Sequence, residues 1–297
     1  MKAKKTLGQH FLKSEPALKK IIEAGEVKKG DIILEIGPGR GALTEKLLER
    51  AGLVIAVEKD RELFEFLKTK FARAIAGEKL ILVNDDILNF DMEQNVLEGT
   101  LGRRDGAGQR KFSAENFRGE SENILRNYKI IANIPYNITG AILKKFLTAR
   151  NQPERMVLMV QQEVAKRMLG RRENTSYSKP SHGRKLGKES ILSISVKAYG
   201  EPKMIMKVPA RYFSPAPQVG SAVVAIKNIS HQTFIKTGIS EEHFWKIIKT
   251  GFAHKRKKLS GNLKNVVSCQ GPTLTRLGNK RAEDLSLSDW ILLAGQE

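Results

Sequence analysis

Cysteine is almost missing from this chain of 297 residues: Cys269 stands alone, so no internal disulfide can form, which suits a reducing compartment. Cys269 itself reads as a structural bystander. The histidines are His10, His182, His231, His243 and His254. None has a partner at metal-ligand spacing, so no metal is expected. No apolar run reaches the ~18 residues that a membrane span needs. The opening Met1-Lys2-Ala3-Lys4-Lys5-Thr6-Leu7-Gly8 is basic, with no apolar stretch behind it. No secretory signal is expected, and the cytoplasm is the expected location. Acidic residues are in deficit, 32 against 52 Lys and Arg, for a formal net charge of +20. A chain this basic suits a polyanion, although a generally basic proteome or a solubility effect would give the same balance.

Strand-like and helix-like runs alternate from Asp31 to Leu169, which predicts an α/β domain with a parallel sheet. Three further runs, Ile191 to Ala198, Met204 to Val208 and Ala222 to Lys227, predict hairpin-like pairing at the sheet's end. From Glu241 the pattern is helical: Glu241 to Ala253, Leu259 to Val267 and Ser288 to Leu293. Gly271-Pro272 and Gly278-Asn279 interrupt it. The expected division is a domain over 1–229 and a small helical domain over 230–297. Two stretches, Gly99 to Gly119 and Arg171 to Lys188, are basic and poor in large apolar residues. They read as surface loops, with an RNA-facing flap as the sharper alternative.

Two segments carry chemistry. The strand-like Asp31-Ile32-Ile33-Leu34-Glu35-Ile36 leads into Gly37-Pro38-Gly39-Arg40-Gly41 and then into a helix-like run. Strand, glycine turn, helix is the first half of a nucleotide-binding βαβ unit, and the glycines let backbone approach a ligand closely. Glu58 ends the next strand, where a carboxylate usually bonds ribose hydroxyls. A dinucleotide-binding oxidoreductase would space its glycines G-x-G-x-x-G, whereas this loop is G-x-G-x-G. That spacing, with Glu35 before it, resembles the S-adenosylmethionine loop of class I methyltransferases. A third run, Leu80 to Val83, ends in Asn84-Asp85-Asp86, where an acid could meet an adenine amino group.

The second segment is Asn133-Ile134-Pro135-Tyr136, directly after the apolar run Tyr128 to Ala132. The Asn133 side-chain oxygen can accept from an exocyclic amine. Pro135 holds Ile134 extended and can aim its carbonyl at the same nitrogen. Tyr136 offers a ring face for stacking. A plain strand-ending turn is the blander reading.

Taken together, these residues resemble the KsgA (RsmA)/Dim family of ribosomal RNA adenine N6-dimethyltransferases. The matches run from end to end: Gly8-Gln9-His10-Phe11-Leu12; Glu35 to Thr44; Met156 to Ala165; Phe213-Ser214-Pro215-Ala216-Pro217-Gln218-Val219-Gly220-Ser221 and onward to Val224; and Arg281 to Leu287. Gln218 and Gly220 depart from the Lys and Asp of the family's Pro-rich segment. Lys197 stands where a Gln is usual, in what reads as a strand. Two stretches, roughly 97–127 and 170–189, have no counterpart.

The resemblance implies a Rossmann-like class I methyltransferase sheet with a small C-terminal helical domain. It also implies S-adenosyl-L-methionine as cofactor and the residues that hold it: His10, Leu12, Gly37, Glu58, Asp86 and Asn133, with Glu35 and Gly39 in the supporting loop. Asp85 is the open alternative to Asp86. Asn133, Ile134, Pro135 and Tyr136 would hold the target adenine, with Phe213 against its other face. The run Lys255-Arg256-Lys257-Lys258 falls where the family places RNA. The implied partner is small-subunit rRNA in a pre-ribosomal particle, met by a monomer. The erythromycin-resistance type of large-subunit rRNA methyltransferase shares the glycine loop and the Asn-Ile-Pro-Tyr turn, and a non-catalytic RNA-binding assembly factor could share the fold.

Overall fold

A computed structural model describes residues 4, 8–92, 127–170, 187–264, 266 and 272–295. Cys269 lies outside the described residues. So do the basic stretches 97–127 and 170–189, apart from Asn127, Gly170 and residues 187–189. The described chain forms two compact units, residues 1–162 with 203–229, and residues 163–202 with 230–297. The chain thus passes between units three times, and residues 163–202, expected within a domain over 1–229, group with 230–297.

The first unit begins with a short strand β1 (Phe11–Leu12) and helix α1 (Glu15–Gly25). Ser14 caps α1, its hydroxyl accepting from the Ala17 N–H, and Pro16 sits in the first turn where its missing N–H costs nothing. Strands and helices then alternate: β2 (Ile32–Ile36), α2 (Ala42–Leu48), β3 (Leu53–Glu58), α3 (Arg61–Lys70), α4 (Ala72–Ala76), β4 (Leu80–Asn84). After the undescribed stretch come β5 (Tyr128–Asn133), α5 (Thr139–Leu147) and β6 (Arg155–Gln161). Three later strands, β7 (Glu201–Val208), β8 (Phe213–Ser214) and β9 (Ser221–Lys227), complete the unit.

Seven strands form one sheet in the order β4-β3-β2-β5-β6-β9-β7. The neighbours from β4 to β6 run parallel, and β9 joins β6 antiparallel. Every residue of β3 is buried, as in parallel strands covered on both faces. Even Lys129 in β5 is only 4% exposed. Its ammonium is compensated by Asp31 Oδ2 at 2.7 Å and the Glu26 carbonyl at 3.1 Å. Chain order reverses between β2 and β5, and at such a switch point the C-terminal strand ends open a crevice. The ends facing it are Glu35-Ile36-Gly37 and Asn133. Away from the sheet, β1 pairs antiparallel with β8, setting Phe11 opposite Ser214 and Leu12 opposite Phe213.

The second unit is helical: α6 (Gln162–Leu169), α7 (Ile191–Tyr199), α8 (Gln232–Thr237), α9 (Glu241–Gly251), α10 (Leu259–Leu263), α11 (Pro272–Leu277) and α12 (Leu287–Ala294). Here the structure corrects one expectation. Ile191 to Ala198 is a helix, and the sheet's end is made by β9 and β7 alone. A Ser190–Ser193 capping box starts α7, and Lys197 pairs with the buried Glu189 at 2.6 Å. These two local interactions outweigh the strand-like preference of its Ile and Val residues. The unit's core gathers Phe244, Ile247, Ile248, Leu259, Leu263, Trp290 and Leu293.

Candidate active site

The crevice at the switch point is a pocket within the first unit. Its walls come from the N-terminal segment (Gly8 to Leu12), the glycine turn, the ends of β3 and β4, and Asn133 to Ile138. The glycine turn takes its shape from left-handed backbone at Gly37, Gly39 and Gly41, with φ of 64°, 60° and 78°. A Cβ on Gly39 would come within 3.0 Å of the Phe11 ring. The turn is held from both sides. The Gly37 N–H donates to the Val57 carbonyl at 2.9 Å, and the Gly39 N–H donates to Glu58 Oε2 at 3.0 Å.

Glu58 is buried at the end of β3, and its Oε1 accepts from the Asp60 N–H at 2.9 Å. Burial raises its pKa, these backbone donors oppose the rise, and the nearby Asp60 carboxylate adds to it. Each carboxylate oxygen keeps a second lone pair with which to accept from a ligand hydroxyl. Glu35, two residues before the turn, is 1% exposed. Its pKa is raised to about 8: burial dominates, the nearby Thr44 hydroxyl opposes without reaching hydrogen-bond geometry, and Glu58 adds to the rise. Glu35 Oε2 and Thr44 Oγ1 are both buried without a hydrogen-bond partner.

At the end of β4, Asp86 is paired with Lys59 at 2.7 Å and accepts from the Leu88 N–H at 3.0 Å. Both contacts lower its pKa. Asp85 Oδ1 accepts from the Asp86 N–H at 2.7 Å. Both acids line the pocket, so either remains a candidate for an adenine amine.

Across the crevice, Asn133 Nδ2 donates to the His10 carbonyl at 3.0 Å. With the amide nitrogen so engaged, Oδ1 is the acceptor end. Pro135 is extended, with φ −59° and ψ 130°, and Ile134 before it is buried. Tyr136 opens a 3-10 turn (Tyr136–Ile138). Its ring lies near-parallel to His10, with centroids 5.8 Å apart. Its hydroxyl is 2.6 Å from Ser221 Oγ. His10 Nδ1 lies 2.9 Å from the Pro215 carbonyl, tying the N-terminal segment to the Pro-rich loop.

Folding therefore brings together His10, Leu12, Glu35, Gly37, Gly39, Glu58, Asp86, Asn133, Ile134, Pro135 and Tyr136 around one pocket. Phe213 is not brought there. It sits in the hydrophobic core at 2% exposure with Leu12, Val208 and Val223, opposite Leu12 in the β1–β8 pair. Lys255, Arg256, Lys257 and Lys258 are exposed in the second unit, in the turn between α9 and α10. Sequence reasoning gave no role to Gln9, Asp60 or Ser221. Asp60 caps α3 and also takes Lys4 Nζ at 2.7 Å and Gln9 Nε2 at 2.9 Å. An Asp just before a helical run is a readable cap signal, but nothing local reveals its distant partners. Among the described residues there is no cluster of metal-ligating side chains, and no helix is long and apolar enough to cross a membrane.

These residues fit S-adenosylmethionine. Acids stand at the ends of β3 and β4 for hydroxyl and amino groups. The glycine backbone leaves room beside them, and the buried Glu35 and Thr44 oxygens beneath the turn still have unused hydrogen-bonding capacity.

Comparison with known proteins agrees. The family model described as ribosomal RNA adenine dimethylase matches residues 1–294. A ribosomal RNA small subunit methyltransferase A of Dehalococcoides mccartyi (strain CBDB1) is 38% identical over 98% of this chain and 87% of its own. One from Thermosynechococcus vestitus is 35% identical over 99% of this chain and 96% of its own. Among solved structures, a dimethyladenosine transferase from Plasmodium falciparum shares the fold with TM-score 0.67 at 24% identity, covering 96% of each chain. The 23S rRNA methyltransferase ErmE shares it at TM-score 0.64 and 21% identity, covering 95% of this chain and 97% of its own. The chain belongs to the ribosomal RNA adenine dimethylase family, enzymes that methylate adenine in rRNA using S-adenosylmethionine.

Proposed function

We propose that this enzyme dimethylates N6 of two adjacent adenosines in a hairpin loop near the 3′ end of small-subunit rRNA, acting as a monomer on a pre-ribosomal particle in the cytoplasm. The observation that carries the reading is the Asn133-Ile134-Pro135-Tyr136 turn facing the glycine turn across one pocket. Relatives named for the small subunit, at 35–38% identity over nearly the whole chain, favour that RNA over the large-subunit substrate named for ErmE.

Bound S-adenosylmethionine supplies an electrophilic methyl group. Glu58, Asp86 or Asp85, Leu12, His10 and the glycine turn would hold it. The adenine amine is a weak nucleophile, because its lone pair is delocalised into the ring. Asn133 Oδ1 and the Ile134 carbonyl both accept hydrogen bonds from it. They favour a pyramidal nitrogen and stabilise the positive charge that develops there. A strong general base is unnecessary, since the nitrogen becomes acidic once it is cationic. The protein's contribution is orientation. Tyr136 holds one face of the base, which must leave its stack to enter. A monomethylated amine keeps one N–H, enough to donate to one of the two acceptors in a second round of transfer.

Mass spectrometry of rRNA fragments from cells lacking the protein tests this reading. Loss of dimethyladenosine from the small-subunit fragment is the expected result. Loss confined to a large-subunit fragment would reassign the substrate.

A further inference from the structure

If Tyr136 stacks on the target base, something must fix the plane of its ring. Stacking rewards a ring only if it is already oriented, and a tyrosine on a short 3-10 turn has rotamer freedom to lose. The structure supplies two restraints. The His10 ring lies against Tyr136 at 5.8 Å, tilted by 19°. At the far end of the ring the hydroxyl meets Ser221 Oγ at 2.6 Å.

Ser221 is an unusual residue for its place. It is 1% exposed and opens β9, where every other residue up to Ile226 is apolar. The sheet holds it rigidly, since it sits opposite Gln161 in the β6–β9 register. A buried hydroxyl is costly unless it is paired, and its partner here is the tyrosine on the pocket wall.

We propose that Ser221 is a positioning residue for methyl transfer: its buried hydroxyl, fixed by the central sheet, locks the Tyr136 ring in the orientation that receives the target base. The inference rests on the reading of Tyr136 as the base-stacking face. It assigns Ser221 no contact with substrate or cofactor. Tyr136 is anchored through its oxygen, which keeps the hydroxyl away from the base and leaves the ring face for stacking.

Steady-state kinetics on small-subunit particles test this, with Ser221→Ala, Tyr136→Phe, the double variant and Tyr136→Ala. A single neutral hydrogen bond is worth about 0.5–1.5 kcal/mol, so Ser221→Ala should lower kcat about two- to tenfold. The KM for S-adenosylmethionine should not change. Tyr136→Phe keeps the ring and loses the anchor, so it should show a similar loss. The double variant should be no worse than the poorer single variant, because both remove one interaction. Ser221→Thr, which keeps a hydroxyl at a strand position that accepts β-branching, should recover kcat. Wild-type kcat in Ser221→Ala alongside an inactive Tyr136→Ala would overturn this inference and leave the base-stacking reading intact. Losses that multiply in the double variant would overturn it too, since the two hydroxyls would then act independently. Wild-type kcat in Tyr136→Ala would remove the stacking reading itself, and this inference with it.

Discussion

At the scale of single residues, the pocket is built from polar groups whose remaining capacity is defined by the contacts they already make. Asn133 spends its amide nitrogen on the His10 carbonyl, which turns its oxygen into the acceptor. Asn133→Ala should therefore lower kcat by about 10² or more, the scale of losing a donor or acceptor aimed at developing charge. It should still fold, because the position is a half-buried strand end. Turnover near wild type would sink the role. Glu35 makes a different test. Its folded pKa is raised to about 8 from an ordinary 4.5. Between those values the folded state holds a proton that the unfolded state has released, so its contribution to stability falls as pH rises. Below 4.5 both states are protonated and the effect vanishes. Glu35→Gln removes the titration. Denaturant melts from about pH 5 to 8 should show the variant gaining on wild type by up to about 1.4 kcal/mol per pH unit. Parallel curves would mean that Glu35 does not hold a proton.

At the scale of elements, the decisive piece is the glycine turn between β2 and α2. Gly41 caps α2 in the left-handed region at φ 78°. A Cβ there would lie 2.5 Å from the Phe71 ring and 3.0 Å from Leu67. The turn is thus pressed against the end of α3 as well as shaped by its own backbone. Gly41→Ala should cost about 2 kcal/mol or more, combining left-handed strain with overpacking. Urea denaturation measures it, and a loss under ~0.5 kcal/mol would mean that Phe71 yields. The short β1–β8 pair has a comparable effect on the site. It sets the N-terminal segment with His10 and Leu12 along the pocket and buries Phe213 beside Leu12.

At the scale of the whole molecule, the charge of +20 predicts RNA binding that weakens steeply with salt, because each neutralised phosphate releases counterions. Replacing Lys255, Arg256, Lys257 and Lys258 together with Ala should flatten the slope of log affinity against log salt by about 0.7–0.9 for each phosphate that the variant leaves unneutralised. Lys258 donates to Asn279 Oδ1 at 3.0 Å, so most of the change should come from the other three. Filter binding across a salt series measures it. An unchanged slope and affinity would make the run a solvated turn.

Most of the pocket was legible in the sequence, because its parts are local. A glycine turn after a strand, an acid at the next strand's end and an Asn-Ile-Pro-Tyr turn each show as a short run of residues, even where their side chains reach distant partners. The parallel sheet was legible from the alternation of strand-like and helix-like runs. What lay beyond the sequence depends on contacts between distant segments. Phe213 reads as an aromatic that could face the base, and the fold buries its side chain beside Leu12, far away along the chain. Ser221 reads as one motif residue among several until the sheet sets its hydroxyl against Tyr136. Ile191 to Ala198 has strand-like composition, and a capping box and an ion pair to a buried glutamate hold it as a helix. Local backbone preference determined which residues could make a site, and long-range packing decided which of them face it.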